Sequence, residues 1–204
     1  MTKLILVRHG ETETNVKGKI HKHSDSEQLT TNGIKQIKKT SEELSKFGAT
    51  AVYCSKEKRA IESAEIIANK LNVPLYQTDG LEERNWGEYA GLSFQEIKLL
   101  AEMDKMSFEE RYVFHPPKGE SWKETEERLL RTLNKILSKN ESENIILVTH
   151  GGSIRIYMPT LLDVNKEESY KYDPDNASIS VFEYKKGKFK KETYNDTSHL
   201  KDLI

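Results

Sequence analysis

Leu4-Ile5-Leu6-Val7-Arg8-His9-Gly10-Glu11-Thr12 is the stretch whose reading decides the fold. Four consecutive apolar, mostly branched residues suit a strand buried on both faces, and the run stops on a cation, an imidazole and a glycine. Such a strand delivers Arg8, His9 and Gly10 together at its carboxyl end. Much later the device recurs, where Ile145 to Gly152 reads IILVTHGG, a second buried-type strand that ends on His150, Gly151 and Gly152. If the two strands are neighbours in one parallel sheet, both imidazoles emerge at the edge where open α/β folds bind ligands.

Outward from these strands the chain alternates. Leu29 and Thr30 introduce a helix whose apolar residues Ile34, Ile37, Leu44 and Phe47 share one face, with Gly48 as its stop. Ala51 to Cys54 is a short strand, Lys56 to Leu71 a helix, and Pro74-Leu75-Tyr76 a third strand at the sheet edge. Strand, helix, strand, helix, strand predicts a parallel sheet covered by helices. From Thr78 to Pro117 the regularity loosens, apart from a helix opened by a Ser93–Glu96 capping box, and Tyr112 to Gly119 reads as an irregular connection. This segment is expected to lie as a lid over the strand ends. A second capping box, Ser121 with Glu124, opens a helix to Ser138. After IILVTH come a helix from Gly151 to Leu162 interrupted at Pro159, a strand from Ser178 to Tyr184, a turn at Lys186-Gly187 and a last strand near Tyr194. The polar tail after Asn195 is expected to be loose.

Bulk composition narrows the function classes. At 204 residues the chain suits one well-filled core, and 32 basic against 33 acidic side chains leave no overall field to draw it to nucleic acid or membranes. The single cysteine, Cys54, excludes an internal disulfide and reads as a core residue in a reducing compartment. No run of eighteen apolar residues occurs, and Met1-Thr2-Lys3 leads directly into the first strand, so a cytoplasmic location is expected.

The polar residues that remain point to phosphate chemistry. Neutral imidazole attacks phosphorus, and guanidinium presents a planar fork to phosphate oxygens, so His9 beside Arg8 suits nucleophilic phosphoryl transfer. In Ser55-x-x-x-Arg59-Ala60 another arginine stands at a helix start, where backbone amides favour an anion. His150 adds a further donor, and Glu83, within LEERNWGEYAG, is the candidate proton donor to a leaving oxygen. That set requires no metal. His21-Lys22-His23 reads as a solvated loop that could also touch the substrate, and Trp86 and Tyr89 read as packing residues.

RHGET followed by Asn15, Ser55-x-x-x-Arg59-Ala60, Leu81-x-Glu83 followed by Gly87, Gly119-Glu120-Ser121 with Arg128, and VTHGG together resemble, in order, the histidine phosphatase superfamily and its phosphoglycerate mutase branch. The resemblance spans residue 3 to about residue 182. It implies an α/β protein of three α/β/α layers with a mostly parallel central sheet, one domain over residues 1–204 and a cap-like insertion over roughly 78–120. It implies that His9 becomes transiently phosphorylated, with His150 and Glu83 as the other catalytic residues. Arg8, Asn15, Arg59 and Gly151 would hold the substrate, and neither metal nor cofactor is called for. The partner expected is a small phosphomonoester; relatives often form homodimers, but no stripe of this sequence marks an interface. Glu120 and Arg128 are expected to tie the capping region together.

True mutases of the branch are longer and carry a Gly-Trp after the loop corresponding to His21–Ser24, which this chain lacks. A metal-independent phosphatase is therefore expected ahead of a bisphosphoglycerate-primed mutase. A phosphate-binding protein without turnover is a third reading, against which His9, Arg8, Arg59, Glu83 and His150 stand together.

Overall fold

The computed structural model describes residues 2–23 and 26–203. Its centre is a six-stranded sheet in the order β3-β2-β4-β1-β5-β6. The strands are β1 (Thr2–Arg8), β2 (Ala51–Cys54), β3 (Leu75–Gln77), β4 (Asn144–Thr149), β5 (Ile179–Lys185) and β6 (Lys188–Asp196). The first four run parallel, and β5 and β6 add an antiparallel margin. Helices α2 (Thr31–Leu44) and α3 (Lys58–Leu71) cover one face. The other face carries α6 (Trp122–Lys139) and α7 (Gly151–Leu162). A single-turn helix, α1 (Glu13–Val16), follows β1, and α4 (Phe94–Leu100) and α5 (Phe108–Val113) lie between β3 and α6.

The period of two along a strand explains the layers. In β1, Ile5 and Val7 pack with Ile37, Val52 and Ile67, while Leu4 and Leu6 pack with Leu129, Leu133 and Tyr157. All four β1 residues are fully buried, as the unbroken apolar run predicts. Register then does what packing alone would not. β1 and β4 pair with Arg8 opposite Thr149, so the residues after them, His9 and His150, leave the sheet side by side.

Four expectations need correction. Helix α7 is not interrupted at Pro159, which lies near its C-terminal end, where the ring removes one hydrogen bond and the helix closes at Asp163 in the left-handed conformation. The tail is docked: Ser198–Leu203 forms a 3-10 turn, Leu200 is buried, and His199 Nε2 lies 3.0 Å from Thr40 Oγ1 on α2. A further capping box, Ser107 with Glu110, starts α5 and carries it through Tyr112 and Val113, so the irregular connection begins at Phe114. Ile34 stands 38% exposed at the rim of α2 rather than inside, while Ile37 and Leu44 form the buried face.

Candidate active site

Backbone bonds hold His9 before any side chain acts. Its amide donates to the Thr149 carbonyl at 3.0 Å, and its own carbonyl accepts from the Ala177 amide at 3.2 Å and from Asn176 Nδ2 at 3.0 Å. Gly10 is required by a close approach, since a Cβ there would come within 2.6 Å of the Gly33 carbonyl. The ring is oriented by its neighbour, with Nδ1 2.7 Å from the Gly10 carbonyl. A carbonyl only accepts, so Nδ1 carries the proton and Nε2 keeps its lone pair. Burial holds the ring well below the ordinary histidine range, and the charges of Arg59, His150 and Arg8 reinforce this.

Cations and imidazoles gather round that lone pair. Arg59, fully buried on α3, places Nε 3.3 Å from His9 Nε2. The His150 ring centroid is 5.3 Å from that of His9. Arg8 anchors NH1 on the Pro174 carbonyl at 2.6 Å and lies across the start of α7, where a Cβ on Gly151 would meet its Nε at 3.2 Å. Arg8 Nε and His150 Nδ1 are both buried without a hydrogen-bond partner among the described residues. Asn15 caps α1 with Thr12 in a reciprocal box, and its Oδ1 accepts from the Thr12 amide, the Thr12 hydroxyl and Asn176 Nδ2.

Glu83 comes from the loop after β3. Its Oε2 accepts from the Gly152 amide at 2.8 Å at the start of α7, and its Oε1 from the Arg84 amide at 2.9 Å. Gly152 makes this possible, because a Cβ there would lie 2.5 Å from Glu83 Oε1. The loop itself is nailed down from several sides. Thr149 Oγ1 donates to the Leu81 carbonyl at 2.8 Å, and Arg128 NH1 to the Glu82 carbonyl at 3.0 Å. Arg128 also grips Glu120 with two parallel bonds of 3.0 and 2.8 Å, so this pair ties the covering segment to α6, as expected.

Arg8, His9, Asn15, Glu83 and Gly151 all line one cavity of about 320 Å³, a size suited to a small ligand. Its outer wall includes Trp86, Phe94, Trp122 and Tyr170. Trp86 is therefore a lining residue, with the Arg84 guanidinium 4.1 Å from its ring centre, whereas Tyr89 stacks on Phe114. His21 is not a solvated loop residue either. It lines the cavity with its ring 5.7 Å from that of His9, and its Nε2 is 2.8 Å from Thr12 Oγ1. Burial pushes it down to about 3, with Arg59 and His150 adding to the shift. Lys22 and His23 are exposed; Ser24, at the end of that stretch, lies outside the described residues.

Sequence reasoning missed Glu57. It is 3% exposed, with Oε2 2.7 Å from Arg59 NH2 and 2.8 Å from His150 Nε2. Burial alone would raise this carboxyl, but His150 and Arg59 outweigh it and hold Glu57 below the usual carboxylate range. The one available signal was its place in Ser55-Lys56-Glu57-Lys58-Arg59, two residues before the arginine.

A mostly parallel sheet whose strand ends bring a buried histidine together with arginines and a second histidine is an arrangement suited to binding a phosphoryl group. The histidine phosphatase superfamily (branch 1) matches residues 4–197. Phosphoglycerate mutase-like protein 4 of Arabidopsis thaliana is 37% identical, over 98% of this chain and 87% of that protein. The metal-independent phosphoserine phosphatase of the same plant is 31% identical, over 100% of this chain and 85% of its own length. Among solved structures, a phosphoserine phosphatase variant from Entamoeba histolytica in complex with phosphoserine superposes with a TM-score of 0.80 at 30% identity, covering 98% of this chain and 100% of that one. The chain belongs to the histidine phosphatase superfamily.

Proposed function

We propose that the protein hydrolyses a small phosphomonoester through a phosphohistidine at His9, with residues 78–120 acting as the cap of a single domain. The observation that carries this reading is His9, which lines the cavity with its Nδ1 committed to the Gly10 carbonyl and its Nε2 3.3 Å from Nε of the buried Arg59. In the first step the Nε2 lone pair forms a bond to phosphorus, the ester P–O bond breaks, and Glu83 protonates the departing alkoxide. Arg8, Arg59, His150 Nδ1, the Asn15 amide and the backbone at Gly151 would carry the equatorial oxygens. In the second step water attacks phosphorus, Glu83 takes its proton, and the N–P bond breaks to release phosphate and restore His9. Relatives named as phosphoserine phosphatases support hydrolysis, and others named as phosphoglycerate mutases make mutase transfer the second reading.

Hydrolysis of p-nitrophenyl phosphate in EDTA tests the reading, together with acid-quenched phosphoprotein labelling. Activity that survives the chelator and falls by at least about three orders of magnitude in His9→Ala is the expected result. Label found on another residue would end the proposal. Interconversion of 3- and 2-phosphoglycerate, primed by the bisphosphate and faster than hydrolysis, would establish the mutase instead.

A further inference from the structure

We propose that Glu57 is a positioning residue for phosphoryl transfer, its buried Oε2 clamping Arg59 and His150 into the geometry that receives the phosphoryl group. This rests on the reading above for its purpose. Its geometry stands independently. One carboxylate oxygen meets a guanidinium from α3 at 2.7 Å and an imidazole from the β4–α7 junction at 2.8 Å, and lies 3.5 Å from the Glu83 amide. Three separate segments that supply the site thus converge on a single atom. Because Nε2 of His150 is bound to Glu57, the ring can offer only Nδ1 to a ligand, and Nδ1 is the atom without a hydrogen-bond partner among the described residues.

Packing alone does not account for a carboxylate at this place. Its second oxygen, Oε1, is buried with no hydrogen-bond partner among the described residues, and His23 Nδ1 is 4.0 Å from it. A half-satisfied buried carboxylate costs stability that an apolar side chain of similar volume would not, and such groups occur where a site needs their charge and direction. Partners that orient metal-ligating side chains change affinity or activity by about 10- to 100-fold when removed, and an effect of the same order is expected of a carboxylate that orients two phosphate-facing groups.

Two variants separate the clamp from mere support. Glu57→Leu removes both contacts, while Glu57→Gln keeps an oxygen that can accept from Arg59 and His150 but loses the charge. The readouts are the dissociation constant for inorganic orthovanadate, which needs no turnover, kcat and KM on p-nitrophenyl phosphate, the downfield proton resonance of His150 Nε2, and the thermal midpoint. Expected for Glu57→Leu are vanadate binding weakened by about 10- to 100-fold, a kcat loss of the same order and a large upfield move of the resonance, Ser55 Oγ at 2.9 Å being the partner left to Nε2. Glu57→Gln should recover a large part of the vanadate affinity and retain the resonance, moved upfield. A folded Glu57→Leu protein that binds vanadate within about twofold of the wild type would overturn the proposal. If the leucine variant does not fold, Glu57→Gln decides: unchanged vanadate affinity with an unmoved resonance overturns the clamp, and weakened binding with a shifted resonance supports it. A wild type that binds vanadate in this Glu57-dependent way but hydrolyses no phosphomonoester would defeat the hydrolase reading and leave the clamp standing.

Discussion

Glu83 and Gly152 act as one unit. The carboxylate reaches the α7 amide only because position 152 has no Cβ, so a methyl there should displace Glu83 rather than merely crowd the helix. Glu83→Gln is expected to slow hydrolysis of alkyl phosphates by about 10²- to 10⁴-fold and that of p-nitrophenyl phosphate far less, because a good leaving group needs little protonation. Gly152→Ala should reproduce the same leaving-group dependence in milder form. Steady-state kinetics on matched alkyl and aryl esters test both, and equal losses on the two substrate types would remove Glu83 from the acid role. His9 shows how burial acts at this scale: buried and close to positive charge, its imidazole is held neutral, the state that the proposed attack on phosphorus requires.

Among the elements, the strands carry the site and the helices hold the strands. β1 and β4 could be recognised as apolar runs ending on His-Gly, and their parallel pairing converts that repeat into two adjacent rings. The C-terminal 3-10 turn was not legible, because Ser198 to Leu203 offers only two leucines, Leu200 and Leu203, among polar residues. Leu200 nevertheless inserts into the core face formed with α2 and α3. Leu200→Ala is therefore expected to lower stability by about 2–3 kcal/mol, read as a reduced urea midpoint at unchanged slope. An unaltered midpoint would show the turn to be a passive tail.

For the molecule as a whole, the buried imidazoles set the acid response. His9, His21 and His199 all sit below their ordinary value of 6.5 in the folded state, chiefly through burial, so the unfolded chain binds more protons on the acid side. Stability is thus fully present above pH 6.5 and falls as the pH drops through the window toward about 3, where folded His21 titrates. Each fully differential proton contributes a slope of about 1.4 kcal/mol per pH unit. Urea unfolding at pH 7.5, 6 and 5 should show this decline, and His21→Gln should make it shallower; a flat profile would contradict the neutral, buried state of these rings. None of the helices among the described residues is long and apolar enough to span a bilayer.

The linear sequence by itself determined the layered α/β architecture, because apolar runs, helical periodicity and capping boxes are local signals, and it marked Arg8, His9, Arg59, Glu83 and His150 because reactive residues at strand and helix ends stand out against apolar segments. Tertiary structure alone decided the rest. Glu57 and Asn176 sit in unremarkable local contexts, and what they do, like the contacts of His21 and Gly152, exists only through distances between segments: an oxygen shared by Arg59 and His150, an amide on the His9 carbonyl, a ring beside His9 and a missing Cβ under Glu83. Side-chain chemistry is written residue by residue, whereas burial and convergence, which give these groups their charge state and direction, exist only once the sheet has brought the strand ends together.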